Sequence, residues 1–186
     1  MIQTKKELNF YLHEDARRNG MDCSFLIYLT RLFRGQESAM AFRYLKALRK
    51  CEYHTNNDGV FHKFMRIYYD IKRQRLGGKY SIQIPLNKCG YGLRLIHLSG
   101  GGILLNINKI GNYCGFNSGV VLGNKGSSDD RPTLGDNVAF GPGAKAFGKI
   151  TIGDNVFVAP NAVVTKDVTA NSIVGGVPAK LIKVKE

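Results

Sequence analysis

Two incompatible spacings of apolar residues divide the chain near residue 80. Before it, apolar positions recur at helical intervals. Thr4-x-x-Glu7 reads as a capping box that opens a first short helix, and Asn19-Gly20 as its stop. A second helix is expected from about Ser24 to Phe33. A third, "ESAMAFRYLKALRKC", sets Ala41, Leu45 and Leu48 on one face, with Arg43, Lys46, Arg49 and Lys50 elsewhere. A fourth, "FHKFMRIYYDIKRQR", places Phe61, Phe64, Met65 and Tyr68 at i, i+3, i+4 and i+7, and Gly77-Gly78 is expected to end the set. The stripe on this fourth helix is expected to pack on its neighbours. The competing reading is a basic, aromatic-rich helix lying on a membrane surface.

From about Ile82 the period becomes six. Leu104, Ile110, Phe116 and Leu122 fall in one frame, and Leu134, Phe140, Ala146, Ile152, Val158 and Val164 keep its phase after a longer gap. Four residues after most of them comes a second small or apolar residue, such as Cys114, Val120, Val138, Ala144, Ile150, Val156, Ala162 and Val168. Neither a strand nor a helix repeats this way; a solenoid does. Each hexad is a short strand and a turn, with Gly, Asn or Asp tolerating the left-handed corner. Three hexads close a triangular coil, and about five stacked coils bury a core that one coil could not. The expected division is a helical region at 1–80 and a β-solenoid at 81–186.

Composition narrows the partners. No run approaches the roughly 20 apolar residues of a membrane span. The N-terminus "MIQTKKELNFYLHED" is polar, without the look of a secretory signal, so a cytoplasmic location is expected. Cys23, Cys51, Cys89 and Cys114 are scattered, which suits reduced thiols and implies neither disulfides nor a metal site. The net charge of +13 is spread: residues 1–80 hold 16 basic and 8 acidic side chains, and residues 81–186 hold 11 and 6. Such a balance admits phosphorylated small molecules or anionic lipid. Nucleic acid is not expected, because no recognition module accompanies the charge.

The hexads and the ending "VVTKDVTANSIVGGVPAKLIK" resemble the hexapeptide-repeat acyltransferases. That resemblance implies a mainly β fold, a left-handed parallel β-helix preceded by an N-terminal α-helical domain. The segment "IQIPLNKCGYGLRLIHLSGGGILLN" is similar to the serine acetyltransferase branch, and within it to small O-acetyltransferases of capsule and exopolysaccharide clusters. Acetyl-CoA is the implied co-substrate, no metal is implied, and a homotrimer is expected, with peripheral membrane contact as a possible addition.

By this likeness His97 stands where the family has its general base. An imidazole that titrates near neutrality suits removal of a hydroxyl proton. Three positions depart from the serine acetyltransferase pattern. Gln83 stands where a carboxylate orients the base, Ile96 replaces an aspartate that grips serine's amino group, and Asp130-Arg131-Pro132 lacks the second histidine. Arg131 is expected to face the acceptor or the donor. The donor positions implied by motif match are Gly123, Pro142, Gly143 and Pro160, with Lys166 and Lys180 for the coenzyme A phosphates. The loop "GNKGSSDDRPT" interrupts the hexads where solenoids commonly carry function. These departures favour a sugar hydroxyl of surface-polysaccharide biosynthesis as acceptor. L-Serine is the alternative, and a non-catalytic β-helix scaffold a third reading.

Overall fold

A computed structural model describes residues 1–127 and 129–185; Ser128, within the interrupting loop, lies outside the described residues, as does Glu186. Four helices come first: α1 (Lys5–Arg18), α2 (Phe25–Phe33), α3 (Glu37–Thr55) and α4 (Val60–Tyr80). Thr4 and Glu7 form the expected capping box, and α1 ends at Asn19, with Gly20 in the left-handed region (φ 65°). Ser24 caps α2 by accepting from the Ile27 amide. Ala41, Leu45 and Leu48 of α3 are buried.

The fourth helix departs from expectation twice. It runs through Gly77-Gly78 and stops at Tyr80, where Ser81 adopts the left-handed conformation. Gly77 serves close packing: a Cβ there would lie 2.6 Å from the Ile82 carbonyl oxygen. The stripe of Phe61, Phe64 and Tyr68 does not pack on neighbours, because α4 meets α3 through its other side and these rings face solvent.

Beyond Ser81 the chain winds into a three-sided solenoid. One side stacks Ile82–Gln83, Ile103–Leu105, Val121–Gly123, Lys145–Phe147 and Val163–Val164, all parallel. A second stacks Lys109–Ile110, Thr133–Leu134 and Thr151–Ile152, extended by single bridges at Cys89 and Val168. The third stacks Arg94–Leu95, Gly115–Phe116, Ala139–Phe140, Phe157–Val158 and Ser172–Gly175, closed by the antiparallel Lys180–Val184. Five rungs on the first side make about four full turns.

Inward residues follow the hexad frame. Ile110, Phe116, Leu122, Leu134, Phe140, Ala146, Ile152, Val158 and Val164 are all buried. Leu104 is the exception: it is exposed, while Leu105 pairs with Leu122 and points inward. The frame slips by one residue there because the inward Leu105 and Ile110 are five positions apart instead of six, as Ile84 and Cys89 are one coil earlier. Asn137, Asn155 and Asn171 hold successive left-handed corners and ladder to one another at 2.9 and 3.0 Å.

One buried cluster joins the two regions, running from Tyr44, Leu45 and Leu48 of α3 into Ile82, Leu93, Leu105 and the inner column. A charged knot crosses the same boundary. Arg49, fully buried, donates to Asp15 of α1 (2.8 Å), to Glu52 (3.1 Å) and to the carbonyls of Cys89 and Gly90 in the first coil. Burial opposes its charge, but Asp15 and Glu52 together raise its pKa. Among the described residues no helix is long and apolar enough to cross a membrane.

Candidate active site

The first corner between the third and first sides carries His97. Its backbone is left-handed (φ 55°, ψ 55°), a conformation histidine tolerates better than most side chains. A 3₁₀ turn, Leu98–Gly100, follows at once, with the Gly100 amide donating to the His97 carbonyl at 3.0 Å. The imidazole is therefore held at the rim of the coil, about two-thirds exposed (68%).

Its neighbour comes from the helical region. Glu37, first residue of α3, sets Oε2 at 3.6 Å from His97 Nδ1, an ion-pair separation slightly beyond a hydrogen bond. The other oxygen, Oε1, accepts from both the Ser99 hydroxyl (2.5 Å) and the Ser99 amide (2.9 Å). These two bonds fix the carboxylate against the turn that follows His97. They also hold the Glu37 carboxyl below the usual carboxylate range, with His97 a smaller contributor. The start of a helix favours a negative side chain as well. With Nδ1 turned toward Glu37, Nε2 is the nitrogen available to a substrate.

The corner continues downward as a column. The Gly143 amide donates to the Ser118 carbonyl and the Asn161 amide to the Pro142 carbonyl, each within 3 Å. Rungs of a sheet lie about 4.8 Å apart, so Pro142 stands about 10 Å and Pro160 about 14 Å along the axis from the His97 coil. Both prolines are exposed, and Gly143 is left-handed (φ 69°) with Asn161 pressed against the place of a Cβ. The structure thus brings His97, Pro142, Gly143 and Pro160 onto one edge.

The remaining candidates lie elsewhere. Gln83 and Gly123 both line an open groove of about 1010 Å³ on the first side, between the end of α4 and the solenoid. Among the described residues no hydrogen bond joins Gln83 to His97. Ile96 is half-buried, its amide bonded to the Phe116 carbonyl at 2.9 Å. Arg131 sits where the interrupting loop re-enters the solenoid, its Nε buried without a hydrogen-bond partner among the described residues. Lys166 is exposed at the corner after Val163–Val164, and Lys180 is exposed on the last strand. Gly123, Arg131 and Lys166 thus follow strands of the first side, whereas His97 and the prolines precede it.

Sequence reasoning missed Glu37. It lies 62 positions from Ser99, at a helix start where an acid serves the helix itself, so nothing in the sequence ties it to His97. Only the packing of the N-terminus of α3 on the first coil discloses it.

No protein-family model matches the chain. A serine acetyltransferase of Synechococcus elongatus is 38% identical over 101 residues, 53% of this chain and 41% of that protein. The chloroplastic serine acetyltransferase 1 of Arabidopsis thaliana is 36% identical over 144 residues, 76% of this chain and 46% of that protein. The chain spans less than half the length of these curated relatives. Among solved structures, the serine acetyltransferase of Brucella abortus strain S19 superposes with a TM-score of 0.72 at 21% identity, covering 98% of this chain and 71% of that one. Its complex with coenzyme A gives a TM-score of 0.66 at 23% identity, over 96% and 67%. The Neisseria gonorrhoeae enzyme in complex with serine gives 0.68 at 23%, over 96% and 70%. These likenesses show the fold: a helical region followed by a left-handed parallel β-helix, the solenoid as the hexads predict and the hand as the resemblance implies.

Proposed function

We propose that the chain is an acetyl-CoA-dependent O-acetyltransferase in which His97 is the general base. The carrying observation is the pairing of His97 Nδ1 with Glu37 Oε2 at 3.6 Å on the edge shared with Pro142 and Pro160. In this reading His97 Nε2 takes the proton of the acceptor hydroxyl as its oxygen attacks the thioester carbonyl. The tetrahedral intermediate collapses with loss of the coenzyme A thiolate, which takes that same proton back from the imidazolium. A nearby backbone N–H meets the oxyanion. Glu37, ionised and held by Ser99, keeps Nδ1 protonated and stabilises the imidazolium, the office otherwise expected at position 83.

The donor's pantetheine arm would lie along the Pro142–Pro160 edge, with Lys166 and Lys180 as partners for its phosphates. Because Gly123, Arg131 and Lys166 belong to another corner, they reach such a site from a neighbouring subunit, which motivates the homotrimer. Arg131, with a buried donor lacking a partner among the described residues, is the residue assigned to the acceptor or donor anion.

For the acceptor, L-serine has the better support, since the relatives that align with this chain are serine acetyltransferases. The sugar hydroxyl expected from the sequence gains nothing from them. It keeps one observation in its favour: Ile96 and Pro132 remove groups that would hold an amino acid. Release of coenzyme A thiol, followed in parallel with L-serine and with sugars and sugar nucleotides, separates the two. Turnover with none of them, together with no binding of coenzyme A, would leave the scaffold reading.

A further inference from the structure

Away from the His97 edge, four cations share one cavity without a counter-charge. Arg43, Lys46 and Lys50 recur at i, i+3 and i+7 along α3 and so project from one face. With Lys72 of α4 and Tyr28 of α2 they line a hollow of about 250 Å³. All four are half-buried, and among the described residues none forms an ion pair. The nearby acids are engaged elsewhere: Asp70 holds Arg73, and Asp15 and Glu52 hold Arg49. Among the described residues, aromatic side chains supply what compensation there is. Lys46 lies 5.6 Å from the Tyr28 ring, and Lys50 5.3 Å from that of Tyr69, donating to its hydroxyl at 3.2 Å. Burial, then Lys50 and Lys72, push the Lys46 pKa down, the mark of a charge in want of an anion.

The surroundings say what kind of anion. Phe25, Leu26, Leu29 and Phe33 of α2 are exposed, Phe33 almost completely (95%). On α4 Val60, Phe64, Ile67 and Ile71 form an exposed stripe beside Phe61 and Tyr68. The stripe reaches the cation cavity, because Lys72 lies 5.7 Å over the Tyr68 ring. A small soluble anion has no use for so much apolar surface. A second copy of the same face, paired about a two-fold axis, would set these cations against each other. A surface with phosphates above and hydrocarbon below matches both features at once.

We infer that α2, α3 and α4 form a membrane-docking face. Arg43, Lys46, Lys50 and Lys72 take the phosphate of an anionic lipid headgroup, and the exposed side chains of α2 and α4 enter the headgroup–acyl boundary. The inference stands apart from acetyl transfer and needs no acceptor to be known.

Co-sedimentation of the full chain with phosphatidylcholine vesicles, with and without phosphatidylglycerol, tests it. Binding is expected only with phosphatidylglycerol and weakens as salt rises. K46E/K50E lowers the vesicle affinity tenfold or more, and F61S/F64S weakens binding at every salt concentration. F61S/F64S changes exposed side chains and K46E/K50E half-buried ones, so matching circular dichroism and unfolding temperature check in both that the fold survives. Equal binding to neutral vesicles, or full binding by K46E/K50E, overturns the inference. So does protection of Lys46 from acylating reagents by pyrophosphate without vesicle binding, which would make the ligand a soluble anion. Self-association abolished by F61S/F64S, again without vesicle binding, would make the face an interface between copies.

Discussion

Glu37 and His97 meet across 3.6 Å although one begins a helix and the other closes the first coil of a solenoid. The contact is made by packing between regions of different architecture, and Ser99 locks it with two hydrogen bonds to the same carboxylate. In the proposed reading, a base oriented in this way needs no acid at position 83.

Glu37→Gln should therefore lower kcat by roughly 10–10²-fold, a part of what a positioned base supplies, while Gln83→Ala costs much less. Glu37→Asp should restore part of the rate, and coenzyme A affinity and unfolding temperature should stay close to those of the wild type. A rate loss that only tracks a loss of stability, with no rescue by Glu37→Asp, would reduce Glu37 to a loop anchor.

Stability should fall on mild acidification through His54. This side chain is buried, and burial first, then His62 and Lys50, lower its pKa. The folded state thus resists a proton that the unfolded chain accepts near pH 6.5. The contribution is present above that pH and is lost as pH falls toward the depressed folded value. Unfolding temperatures between pH 7 and 5 should decline, and His54→Asn should flatten the decline even if it lowers stability throughout. The same slope in the variant would assign the effect elsewhere.

Arg49 is the tie between helices and solenoid. Arg49→Ala strands two buried carboxylates, and breaking such a knot costs about 3–5 kcal/mol. Since the buried cluster crosses the same boundary, denaturant unfolding of the wild type should be one transition seen alike by far-UV circular dichroism and tyrosine fluorescence. Two separate transitions would mean that the regions before and after residue 80 fold independently.

Gly77 gives a sharper packing test. Alanine is the better helix former by about 1 kcal/mol, yet a Cβ here meets the Ile82 carbonyl at 2.6 Å. Gly77→Ala should destabilise by about 1–3 kcal/mol, as overpacking does, whereas Gly78→Ala, with open space around it, should not. Equal effects at the two positions would show that the clash relaxes freely.

Much of this was legible in the residues because the solenoid writes its geometry in a fixed period. The inner column from Ile110 to Val164 follows the hexads, and the frame slips at Leu104, where the step from Leu105 to Ile110 is five residues and not six. The first helix was readable through its capping box at Thr4, and the third and fourth through their apolar spacing. Where α4 ended was not, since Gly77 answers to the distant Ile82 and not to helix propensity. The outward stripe of Phe61, Phe64 and Tyr68 looks in sequence like a packing face, and amphipathic spacing cannot tell which side meets the protein. His97 stood out through its flanking motif. Glu37 did not, because a carboxylate supplied across a tertiary interface leaves no local mark.

The most direct measurement is the rate of coenzyme A thiol release by His97→Ala on the acceptor the wild type prefers, with coenzyme A affinity measured beside it by calorimetry. The account predicts a loss in kcat of roughly 10²–10⁴-fold, the worth of a general base, and affinity for coenzyme A close to that of the wild type. Near-normal turnover in His97→Ala, or failure of the wild type to bind coenzyme A at all, would contradict it.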